Sequence, residues 1–102
     1  MAALLLPALA LTACASRPAQ TSMVSRDQRS QAFCTLVART TKGEEAETLT
    51  RCRYRERRAE SRALRMSVDG ELDKSCELVA TVGKPGGPFS WASYVTCIDD
   101  SI

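Results

Sequence analysis

Histidine does not occur in this chain of 102 residues. Any catalysis would therefore lack the side chain most often used as a general base. Close cysteine pairs are missing too: no two of the five cysteines have fewer than 17 residues between them. Zinc sites usually draw ligands from closely spaced pairs, and dithiol redox catalysis uses a C-x-x-C arrangement. Neither is expected, nor is any cofactor. No glycine-rich loop sits between a strand and a helix, so a phosphate-binding loop is not expected. The acidic residues gather at helix starts and at Asp99-Asp100, where capping and solvation explain them. An enzyme is not the expected reading. Large aromatics are scarce, with only five Phe, Tyr and Trp in all. The longest apolar run, Ala2 to Leu11, is ten residues broken only by Pro7. A membrane-spanning helix needs about 20.

A run of that length suits the apolar middle of a secretory leader, about 7–15 residues. It ends in Leu11-Thr12-Ala13-Cys14, a tetrapeptide that resembles the lipobox of bacterial lipoproteins. The resemblance covers the leader only. It implies a signal peptide over 1–13, cut just before Cys14, with diacylglycerol on the Cys14 thiol and a further acyl chain such as palmitate on its amino group. A buried methylene is worth about 0.8 kcal/mol, and two or more chains anchor stably where one does not. With Ala15 as the second mature residue, the family's sorting rule implies the outer membrane, facing the periplasm. The segment 14–24, rich in Ser, Thr, Pro, Ala and Gln, is expected to tether the lipid to a folded domain over 25–102.

A domain of that size, poor in large side chains, is marginal on its core alone. Cys34, Cys52, Cys76 and Cys97 can supplement it as two disulfides in an oxidising compartment. Four helices follow from apolar spacing and punctuation. The first is expected from Arg26 to Thr40, with Ser25-Gln28 as a capping box and Phe33, Leu36 and Val37 facing inward. The second should run from Lys42 to Met66, with Thr41-Glu44 as a box and a thin stripe of Ala46, Leu49, Cys52, Ala59, Ala63 and Met66. The third, Glu71 to Val82, is capped by Asp69 and turns Leu72, Cys76, Val79 and Val82 inward. The fourth, Ser90 to Asp99, carries Trp91, Tyr94, Val95 and Ile98 on one face. No alternation of strand period is sustained. The expected fold is all-α, a small disulfide-stapled bundle of about four helices arranged as two α-hairpins.

Cysteine spacing agrees with two hairpins. Cys34 and Cys52 each lie nine residues from Gly43, and Cys76 and Cys97 are centred on Gly86-Gly87. At 1.5 Å per residue, antiparallel helices bring each pair level. Geometry therefore favours Cys34–Cys52 with Cys76–Cys97. The nested pairing would be about 10 Å out of register, beyond the roughly 7 Å allowed between bonded Cα atoms, unless the helices were shortened.

One stretch stands out for function. From Arg51 to Arg65 there are seven arginines against Glu56 and Glu60, a net charge of +5. Arg51, Arg55, Arg58, Arg62 and Arg65 fall on one helical face, where guanidiniums can grip phosphates or carboxylates. The competing reading is a solvated face partly neutralised by the two glutamates. In an exported protein the available anions are acidic envelope proteins and lipid head groups, and nucleic acid is not expected. The aromatic group Phe89, Trp91 and Tyr94 is read as core rather than as a binding spot. The expected function is an interaction or accessory protein of the cell envelope, anchored through Cys14. The alternative is an inhibitor or immunity protein against an exported lytic enzyme.

Overall fold

Local sequence and long-range packing divide the work of placing four helices here. The computed structural model describes the backbone from Pro18 to Ile102 and side chains from Arg26 onward. The leader and Cys14 lie outside the described residues. The helices are α1 (Pro18–Thr40), α2 (Glu45–Ala63), α3 (Gly70–Ala80) and α4 (Trp91–Asp100). Among the described residues, strand pairing is confined to one isolated bridge, Thr81 with Phe89. None of these helices is long and apolar enough to cross a membrane. The fold is the all-α, doubly stapled bundle that the spacing predicts.

Each disulfide joins the two helices of its own hairpin. Cys34–Cys52 ties α1 to α2 and Cys76–Cys97 ties α3 to α4, each with Cα atoms 5.5 Å apart. Three of the four cysteines are at most 1% exposed, so the staples also fill the core. Around Cys76 pack Ala80, Phe89, Trp91, Tyr94, Val95 and Ile98. The three aromatic rings meet at centroid distances of 5.0–5.8 Å, two of the pairs edge-on, a geometry that adds to area burial.

Helix ends differ from the spacing-based expectation in instructive ways. α1 is already helical at Pro18, inside the stretch read as tether. Proline suits a first helical position, where its fixed φ helps and its missing N–H costs nothing. Ser25 is consequently interior to the helix and cannot be its N-cap. α2 is preceded by Glu44 in extended conformation with no side-chain cap bond, so the Thr41-Glu44 box does not form. Glu45 and Glu47 in the first turn favour that end through the helix dipole instead. Asp69 does cap α3, accepting from the Leu72 N–H at 2.9 Å.

Inward faces also shift. On α1, Leu36 is 39% exposed while Cys34 and Ala38 are buried. On α2, Ala46 is exposed. On α3 the buried residues are Cys76 and Ala80, whereas Val79 and Val82 are 67% and 43% exposed. For Val82 the cause lies beyond the helix. α3 stops at Ala80 because Thr81 bridges to Phe89 and the Ser90 N–H donates to the Ala80 carbonyl at 3.0 Å. That pairing takes Val82 off the helix, while Val79 flanks the buried line of Cys76 and Ala80, four residues apart on one face.

The return loop is tight. Gly83 takes φ +79, which favours glycine, and a Cβ on Gly87 would come within 2.4 Å of the Val82 carbonyl oxygen. The Gly87 carbonyl in turn accepts from Arg29 at 2.8 Å. Gly87→Ala is expected to cost about 1–3 kcal/mol because backbone must move. A urea titration showing an unchanged midpoint would contradict this.

Candidate functional site

The two hairpins are joined by polar contacts. Arg26 and Arg29 project from α1 into the second hairpin. Arg26 pairs with Asp73 at 3.0 Å and Glu77 at 2.6 Å. Its guanidinium carbon also lies 5.2–5.9 Å from the ring centroids of Tyr94, Phe89 and Trp91, a cation–π distance. Burial opposes the Arg26 charge, but hydrogen bonds to Glu77 and Asp73 outweigh it and hold its pKa above the ordinary value. Arg29 donates to Thr81 Oγ1 and to the Gly87 carbonyl, both at 2.8 Å. Only the cationic tip of each chain is polar; the stems cover apolar surface.

Tyr94 completes this cluster by donating to Asp73 at 2.5 Å. Burial, then the hydrogen bond to Asp73, pushes its pKa up to about 12. A raised phenol pKa contributes stability below the unfolded value near 10, which is lost as pH rises toward 12. Alkaline titration followed by phenolate absorbance should show Tyr94 ionising near pH 12, with stability declining between about pH 10 and that point. A Tyr94 phenol that ionises near 10 in the folded protein would contradict it.

The second joint is Glu56, 3% exposed on α2. Its carboxylate accepts from Ser30 and Ser90 hydroxyls at 2.9 Å each, from the Trp91 N–H at 2.6 Å and from the Ala92 N–H at 3.2 Å. Trp91 and Ala92 open α4, so a carboxylate of one helix caps the positive end of another. The glutamate expected to neutralise arginines on a solvated face is instead a buried clamp. Its signal was present in the sequence. Glu56 stands four residues after Cys52 and three before Ala59, within the apolar stripe of α2. Beside it opens a cleft of about 330 Å³ lined by Asp27, Gln31, Arg53, Arg57 and Glu60, among others. Partial burial, and then repulsion from Asp27, raises the Glu60 pKa, with Arg57 working the other way.

The arginines singled out from the sequence are all exposed, but they do not act as one row. Arg51 bonds back to Glu47 at 2.6 Å on the same helix, an exposed pair worth little. Arg55 stands free of ion pairs among the described residues. Arg58, Arg62 and Arg65 wall a groove of about 450 Å³ between α2 and α4, whose remaining lining includes Ala59, Ala92, Val95 and Thr96. Arg65 reaches it from the tight turn that ends α2, where its N–H bonds to the Arg62 carbonyl at 3.1 Å. Arg62 is held by Asp99 of α4 at 2.8 Å. Arg58 stacks over Tyr54 at 5.8 Å; neither it nor Arg65 has an ion-pair partner among the described residues.

The described residues hold no cluster of three or more His, Cys, Asp or Glu able to take a metal ion. They define a disulfide-stapled four-helix domain with an arginine-walled groove on its surface. No family model, curated protein or solved structure matches the chain.

Proposed function

We propose that this chain is a lipid-anchored interaction protein of the cell envelope, held to the outer membrane through Cys14 and binding an anionic partner through the arginine side of α2. The observation that carries the reading is the exposure of Arg55, Arg58 and Arg65 without ion-pair partners among the described residues. Leaving three guanidiniums unneutralised on one side gains nothing for the fold, since charge repulsion along a helix is unfavourable. The lipobox-like leader and the paired cysteines support export.

The test uses the full chain in its own membrane. Labelled palmitate should enter the protein and be lost on Cys14→Ser. After mild detergent extraction, the protein should migrate in a complex larger than itself. Reversing Arg55, Arg58 and Arg65 together to Glu should weaken that complex by at least about tenfold, because like charges across an interface cost several kcal/mol. An unlipidated chain, or a complex indifferent to the reversal, would defeat the proposal. A partner that proves to be an exported lytic enzyme, silenced in the complex, would make the protein its inhibitor.

A further inference from the structure

The groove between α2 and α4 has a shape and charge that specify its occupant more narrowly than "anionic". We infer that it receives an acidic amphipathic helix from a partner protein, an inference that rests on the interaction role proposed above. Arg58 on α2 and Arg65 in the tight turn that extends it stand seven positions apart, their backbones about 10 Å apart at roughly 1.5 Å per residue. Two carboxylates on successive pairs of turns of a helix, at i and i+7, have the same separation. Between the two arginines, Arg62 is already engaged by Asp99. The wall thus holds one helical carboxylate from its own chain and leaves a guanidinium on either side of it.

The floor supplies the second half of the match. Ala59, Ala92 and Val95 present short apolar side chains, so a helix backbone can approach closely while residues at i+3 and i+4 rest on them. A compact phosphate head group fits less well. It would draw guanidiniums to one point, whereas these are strung along a line with apolar surface beneath. Flexible anions without an apolar face would leave the floor wet.

Photo-crosslinking separates the groove from the wider arginine surface. A benzophenone amino acid is placed at Thr96, exposed in the groove, or at Tyr54, which is 63% exposed near Arg58 and does not line the groove. The full-length protein is irradiated in its native membranes, and crosslinked peptides are sequenced. Preserved disulfides and helical circular dichroism confirm that each variant folds. The inference predicts a Thr96 adduct to a peptide with acidic residues seven apart and apolar residues between them. Arg58→Glu with Arg65→Glu should reduce that adduct at least about tenfold, and matching Glu→Arg changes in the partner should restore it. Adducts from Tyr54 but not Thr96 would overturn the groove and leave the interaction role standing. Lipid adducts at Thr96, or a peptide without the acidic pattern, would overturn the helix. No adduct from either position would remove both readings.

Discussion

Replacing Glu56 with alanine is expected to destabilise the domain by about 3–5 kcal/mol, through buried donors left without an acceptor. The carboxylate is the acceptor for two backbone N–H groups at the start of α4 and for the hydroxyls of Ser30 and Ser90. At 3% exposure the carboxylate, rather than water, satisfies these donors in the folded protein. The hydroxyls can rotate to other acceptors, but the N–H groups of a helix terminus cannot, and the dipole at that end loses its counter-charge. Glu56→Gln keeps the volume and one acceptor oxygen while turning an NH2 group toward donors. About half the loss is expected there, roughly 2 kcal/mol. For a domain of this size each kcal/mol lowers Tm by about 4–8 °C. Thermal melts by circular dichroism should rank wild type above Glu56→Gln above Glu56→Ala. An alanine variant melting within a few degrees of wild type would mean that the two hairpins do not depend on this clamp.

Reduction of the disulfides is the second large effect. The cross-links close separate loops with sequence separations of 18 and 21. In the chain-entropy account each is worth about 3 kcal/mol. Because the loops do not overlap, the two contributions are close to additive. Their sum is comparable to the whole stability of a small domain, about 5–15 kcal/mol. Removing one pair, as in Cys34→Ser with Cys52→Ser, should lower Tm by about 10–25 °C. Full reduction in mild denaturant should abolish helical circular dichroism. The burial of Cys34, Cys52 and Cys76 means that reductant acts through opening of the fold. A reduced protein that still melts cooperatively near the oxidised Tm would show that the aromatic and polar joints suffice alone.

Much of the fold was legible because it rests on local periodicity. The α4 face of Trp91, Tyr94, Val95 and Ile98 is buried as the spacing predicts. The disulfide pairing follows from the distance of each cysteine to its turn. Val82 leaves the expected face for a reason that periodicity does not contain: α3 ends at Ala80, where Thr81 bridges to Phe89, while Val79 flanks the Cys76–Ala80 line that is buried. The candidate site was legible in part. The arginine-rich side of α2 was plain, but its division into a back-paired Arg51, an Asp99-held Arg62 and a groove wall was not.

The sequence by itself determined four helices, the glycine-marked turns of the two hairpins and the level at which sulfurs meet, since each depends on residues close along the chain. Tertiary structure alone decided the roles of Arg26, Arg29 and Glu56. Their partners lie 26 to 58 positions away, so that even where local spacing marks an inward position, as it does for Glu56 between Cys52 and Ala59, the group waiting there is set by a distant part of the chain.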